Sequence, residues 1–253
     1  PETRSNAAHH FPPEDLAAYE NLSKAFHVLR PESGRQRLAI RFGDLARQEQ
    51  ALVLQLDPLH DREEYSSFWR TIDHVGRDDV ELSDVLDATM RDPSAEARQI
   101  HLRVRNLGVS DWSIWRRSGD ASAIDLLEEP WRAMVLDIGT LGLPAEKQVV
   151  TLAMLSRLWR QRNQRQPVLI VIDEAHNICP AEPETALQAL LTDYVIRIAA
   201  EGRKFGLYLL LSSQRPQKIH PNVLSQCDNL ILMRMNSSAD FGISERCLLV
   251  RAV

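Results

Sequence analysis

Glycine is scarce in this sequence, with ten in 253 residues, below the roughly 7% usual in proteins. Tight turns of the kind only glycine closes are therefore few, and the deficit points to much helix. Cysteine is scarcer still. Cys179, Cys227 and Cys247 are odd in number and widely spaced, without a CxxC pair. That excludes a disulfide framework or a zinc ribbon and fits a reducing, cytoplasmic setting. No apolar run nears the ~18 residues of a membrane helix. The longest are Val168–Ile172 and Leu207–Leu211, so no integral membrane segment is expected. The polar opening Pro1–Asn6 has no signal-peptide core. Collagen-like and low-complexity classes fail on glycine and proline. With 44% hydrophobic and 26% charged residues, wholesale disorder fails too.

The charge is acidic overall but unevenly spread. The net is −5 for the whole chain, −8 over residues 1–156 and +3 over residues 157–253. The later part carries a basic cluster, Arg157, Arg160, Arg162 and Arg165. Such asymmetry permits a local basic surface on an acidic protein. A solvated helix end favoured by the macrodipole explains the same cluster equally well. The eight histidines are scattered. His9, His10 and the His60/Asp61 region read as solvated loop residues, and no protein-only metal site is assigned.

Residues 1–130 read as a mostly helical insertion or subdomain. In Glu14–Leu29 the apolar residues Leu16, Ala17, Leu22, Phe26 and Leu29 recur at helical spacing. Asp44–Leu56 and Glu63–Val75 have the same character, the latter burying Phe68, Ile72 and Val75. Ser83 is placed to cap Asp84–Met90, and Ser94 to cap Ala95–Leu107. Trp112 and Trp115, three apart, are expected to face one core. No internal repeat and no catalytic signature occur in this half.

Residues 131–253 have another texture. Ala133–Ile138 is a short apolar run, and Pro144–Gln164 a helix with proline near its first turn. Val168–Ile172 (VLIVI) reads as a parallel strand buried on both faces. Helix Glu184–Lys204 follows, then a strand at Leu207–Leu211 and another at Asn229–Met235. This alternation means an α/β fold with a parallel sheet and right-handed crossovers. In such sheets the site lies at the carboxyl ends of the strands.

At the first of those ends stand Asp173-Glu174-Ala175-His176. A hydrophobic strand ending in two acids is the Walker B pattern of nucleotide-hydrolysing proteins. Adjacent carboxylates can divide the work: one holds the Mg²⁺ shell, the other reaches the attacking water. The next strand runs into Ser212-Ser213-Gln214-Arg215-Pro216, where an amide could contact the γ-phosphate and report its loss. The intervening helix ends in Glu201-Gly202-Arg203-Lys204-Phe205-Gly206. Gly202 and Gly206 read as helix stops. Arg203 and Lys204 read either as dipole-favoured surface charge or as cations presented to a neighbouring subunit.

Together, VLIVIDEAHNICP, AAEGRKFGLYLLLSSQRP and VLSQCDNLILMRMNSSAD resemble the HerA-type branch of the HerA/FtsK P-loop ATPases. FGDLARQEQALVLQL and MVLDIGTLGLPAEKQVVTLAMLSRLWRQR resemble it more loosely. The resemblance is specific over residues 133–240. It implies part of a RecA-like sheet, ATP and Mg²⁺ as ligands, and a homo-hexameric motor pumping double-stranded DNA beside a nuclease or other effector. It implies Asp173 for Mg²⁺, through water, and Glu174 as general base. Gln214 becomes the γ-phosphate sensor and Arg203 the finger acting on the adjacent subunit, with Arg215 the second candidate. DNA repair and anti-phage defence both stay open as pathways. A type IV secretion or conjugation ATPase shares the late motifs, and a non-hydrolysing scaffold for an effector is the alternative from another class. The DEAH letters also suggest DEAH-box helicases, but the SAT and QxxGRxGR segments of that family are absent.

One departure stands out. No GxxxxGK(S/T) occurs, and no glycine is followed by lysine. The phosphate-cradling loop is thus expected upstream of Pro1 in a longer protein, with residues 1–253 inactive alone.

Overall fold

The computed structural model describes residues 25–32, 37–76, 80–117 and 119–231. In chain order the elements are β1 (Phe26–Leu29), β2 (Ile40–Arg41), α1 (Arg47–Val53), α2 (Arg62–Val75), α3 (Leu82–Arg91), α4 (Ala95–Leu107) and β3 (Trp115–Arg116). They continue with β4 (Ala133–Leu136), α5 (Pro144–Arg160), β5 (Val168–Ile172), α6 (Ala186–Glu201), β6 (Leu207–Leu211) and α7 (Pro221–Ser225). The strands form three parallel pairs, β1 with β4, β2 with β3 and β5 with β6. The fold is α/β, with a mostly helical stretch ahead of the strands that carry the site.

In the helical stretch, α2 buries Ser67, Phe68, Thr71 and Ile72 while Val75 stays half-buried. Ser94 caps α4 by accepting the Ala97 N–H, and Gly108 closes it at φ 61°. Asp61 anchors the start of α2. Its carboxylate accepts the Asp57 N–H and pairs with Arg103 of α4 at 2.9 Å. It is therefore a structural residue that ties α4 to the α2 start. Trp112 and Trp115 stack at 6.0 Å against the core.

Three expectations are corrected. Phe26–Leu29 is a strand, in register with Ala133–Leu136; parallel pairing outweighs the helical spacing of its apolar residues. Ser83 lies inside α3, whose first turn is closed by Glu81 and Asp84, the Asp84 carboxylate accepting the Glu81 N–H. Val168–Ile172 is buried on one face only. Ile170 and Ile172 lie in the core, whereas Leu169 and Val171 are 62% and 58% exposed. Tyr208 and Leu210 are exposed beside them. Helices α5 and α6 pack on one another and α6 on β6, and no described residue covers the second face. Of the expected strand at Asn229–Met235, Asn229–Ile231 are irregular and the rest lies outside the described residues.

Helix α5 has Pro144 in its first turn. Buried Glu146 accepts the Leu143 N–H and both the N–H and hydroxyl of Ser113, fixing its start to the helical stretch. Thr185 caps α6 by accepting the Gln188 N–H. Leu187, Leu191, Thr192, Val195 and Ile198 form its buried stripe. At its end Gly202 is needed for space: a Cβ there would meet the Leu207 carbonyl at 2.7 Å. Gly206, at φ +85°, makes the turn into β6.

Candidate active site at the ends of β5 and β6

β5 and β6 pair from Val168↔Leu207 to Ile172↔Leu211. The ladder continues beyond both strands with a change of count. The Ser212 N–H donates to the Ile172 carbonyl and the Ala175 N–H to the Ser212 carbonyl, both at 2.9 Å. Asp173 and Glu174 are thus two residues between rungs that both belong to Ser212. The excursion pushes both carboxylates out of the ladder at the strand end. Glu174 takes the left-handed conformation, φ 47° and ψ 46°, which costs a non-glycine residue roughly 1–3 kcal/mol. A short turn, Ala175–Asn177, follows at once.

Asp173 is exposed, and its Oδ1 accepts the Glu174 N–H at 2.9 Å. Glu174 is partly buried, and its Oε2 is buried without a hydrogen-bond partner. His176 Nδ1 lies 3.0 Å from Ser213 Oγ and 3.3 Å from Glu174 Oε2. Ser213 Oγ also accepts the Arg215 N–H at 3.0 Å. The loop after β6 is pinned again further on. The Ala181 N–H donates to the Lys218 carbonyl and the His220 N–H to the Cys179 carbonyl. Gln214 and Arg215 stand exposed between these two anchorages. Burial pushes the nearby Cys179 thiol up to about 12, with Cys227 adding to the effect, so Cys179 is a packing residue and no nucleophile.

The fold brings Asp173, Glu174, Gln214 and Arg215 to one end of the strand pair. Arg203 is elsewhere. Its turn, Gly202–Phe205, precedes β6, so it lies at the opposite end of the strands, roughly 15 Å from Glu174 at ~3.3 Å per residue. Arg203 pairs there with Asp228 at 3.0 Å, both side chains largely exposed. Three of the four arginines of the basic cluster upstream are used internally, and Arg165 is exposed. Arg162 lies over the rings of Trp159 and Phe205, Arg157 pairs with Glu128, and Arg160 reaches the Asp44 carbonyl. His176 and Ser213 were given no role by the sequence reading. Their position one turn or two residues past a parallel strand end was the signal available.

Paired acids at one parallel strand end and an amide-bearing loop at the next, with a buried carboxylate oxygen that makes no hydrogen bond, form a polar cluster at the carboxyl end of an α/β strand pair. The particular likeness is to HerA-type helicases. Over 94 residues the chain is 37% identical to the DNA double-strand break repair helicase HerA of Sulfurisphaera tokodaii, covering 37% of this chain and 18% of that protein. Over 79 residues it is 40% identical to the probable helicase MJ1565 of Methanocaldococcus jannaschii, covering 31% and 15%. Over 74 residues it is 38% identical to the HerA repair helicase of Pyrococcus furiosus, covering 29% and 13%. The matches thus span less than a fifth of each relative. The resemblance read from the motifs holds in these matches. No protein-family model matches the chain. The bacterial conjugative coupling protein TrwBdeltaN70 superimposes with a TM-score of 0.46 at 13% identity, over 80% of this chain and 57% of that one.

Proposed function

We propose that this chain forms the Walker B half of the ATPase core of a HerA-like DNA translocase. The observation that carries the reading is the β5 end itself. Two carboxylates are extruded between rungs to one serine, and one of their oxygens is buried without a hydrogen bond, 3.3 Å from His176 Nδ1 and beside the sensor loop. With no hydrogen bond to Oε2, the carboxylate keeps its basicity. In this reading Glu174 takes the proton of the water attacking the γ-phosphate. Asp173, exposed and adjacent, holds the hydration shell of Mg²⁺. The ion, when bound, neutralises charge on the phosphate oxygens. Gln214, held between two anchored segments, contacts the γ-phosphate, with Arg215 beside it.

The phosphate-binding loop is supplied by sequence outside these 253 residues. Arg203, too far from the Glu174 of its own subunit, serves the site of the next subunit in a homo-hexameric ring around double-stranded DNA. A nuclease or other effector works with the ring. Glu174→Gln in the complete protein tests the assignment. The amide keeps the shape but accepts no proton, so ATP turnover should fall at least ~10²-fold with binding retained. Turnover of the unmutated protein should rise with duplex DNA. Near-normal turnover by Glu174→Gln would remove it from the role.

A further inference from the structure

His176 touches both strand-end loops. Its Nδ1 faces two oxygens at once, Ser213 Oγ at 3.0 Å on the β6 side and Glu174 Oε2 at 3.3 Å on the β5 side. Two lone pairs facing at such a distance repel, so a carboxylate oxygen beside Nδ1 assigns the proton to Nδ1. One N–H then serves two acceptors. Here the hydrogen bond goes to Ser213, and Glu174 Oε2 is left without a partner. Ser213 can hold this place because its hydroxyl is itself positioned by the Arg215 N–H. The next residue along is Gln214.

We propose that His176 is a positioning residue that couples the sensor loop to the base. Ser213 holds the Nδ1–H hydrogen bond away from buried Oε2, so that the Glu174 carboxylate keeps its basicity towards water. When the 212–215 loop shifts, the Nδ1–H donates to Oε2 instead, and the carboxylate becomes a weaker base. Glu174 thus acts only while the loop carrying Gln214 is in place. The inference rests on the reading of Glu174 as base, and the coupling can fail while that reading stands.

The test is a double-mutant cycle in the complete protein, measuring kcat and KM for ATP. Ser213→Ala releases His176 onto Glu174, and kcat should drop about tenfold with KM unchanged, the scale of one hydrogen bond to a charged group. Ser213→Thr, which keeps the hydroxyl, should restore most of it. In a His176→Ala background, Ser213→Ala should change kcat less than twofold, because nothing remains to be released. His176→Gln provides the same background should the alanine variant fold poorly. An equal loss from Ser213→Ala with and without His176 would overturn the coupling, as would no loss at all. Glu174→Gln run alongside separates the levels. If it is inactive while the cycle is additive, only the coupling falls. If it is fully active, both fall.

Discussion

Glu174 and Gly202 each hold a backbone position for a different reason. At Glu174 the left-handed conformation is imposed by its surroundings. The Ser212 rungs on either side fix where the chain leaves and rejoins the ladder, and the strain follows. At Gly202 the dihedrals are ordinary, φ −53° and ψ −39°, and the constraint is space. A methyl group would sit 2.7 Å from the Leu207 carbonyl and 3.3 Å from Ile198. That carbonyl belongs to the backbone of β6 and cannot swing aside as a side-chain end would. Gly202→Ala should therefore destabilise by about 1–3 kcal/mol, the usual cost of overpacking, read as a lower Tm. An unchanged Tm would mean that the α6–β6 corner relaxes freely.

At the scale of elements, β5, β6, the Ser94 cap and the Pro144 start of α5 were legible because local signals and tertiary packing agree there. β1 was not legible. Leu22, Phe26 and Leu29 are spaced as on a helix face, and a four-residue strand has too few positions to contradict that. Only its partner β4, over a hundred residues later, decides. The site residues Asp173, Glu174 and Gln214 were readable as strand-end chemistry, but the His176–Ser213 contact joins two loops and has no sequence period. The α2 start offers a test of element-level electrostatics. The Asp57 N–H, donating to the carboxylate, and the Arg103 guanidinium hold the Asp61 carboxyl below its usual range, against the opposing effect of burial. A carboxyl depressed in the folded state stabilises above its unfolded value of roughly 4 and loses that contribution as pH falls further. Asp61→Asn should thus lower stability by about 1 kcal/mol near neutral pH, the gap closing in acid. A gap independent of pH from 7 down to 3 would rule out the ionised pair as its origin.

At the scale of the molecule, the strand pair sets its two candidate fingers apart, Arg215 beside the acids and Arg203 away from them. The acids and the amide stand at one end, and Arg203 stands at the other. At roughly 15 Å Arg203 does not reach Glu174 of its own chain, which leaves two roles for it. Either it is a surface cation paired with Asp228, an exposed pair worth little, or it completes the site of an adjoining subunit. The open face of β5 and β6, with Leu169, Val171, Tyr208 and Leu210 exposed, belongs to this scale too. Burial on both faces cannot be read from a run of apolar residues alone. Without a cradle of backbone N–H groups for phosphates, residues 1–253 alone should show no micromolar ATP affinity by isothermal titration. Such affinity would place phosphate recognition within this chain.

Arg203 itself can be tested across subunits. A guanidinium beside the transferred phosphoryl group stabilises developing charge and is worth roughly 10³–10⁵ in rate. Arg203→Ala in the complete protein should abolish hydrolysis and leave nucleotide binding nearly intact. Arg203→Lys should rescue little, because an ammonium lacks the planar fork. Mixing Arg203→Ala subunits with Glu174→Gln subunits then isolates the geometry. If the finger acts in trans, some interfaces of a mixed ring join an intact Arg203 to an intact Glu174, and partial turnover returns although neither parent is active. A finger acting within its own subunit needs both residues intact on one chain, and no chain in the mixture has both, so every subunit stays dead. If Arg203 is only a helix-end cation, the single variant already hydrolyses ATP near the normal rate. The role would then pass to Arg215, which stands at the same strand end as Glu174.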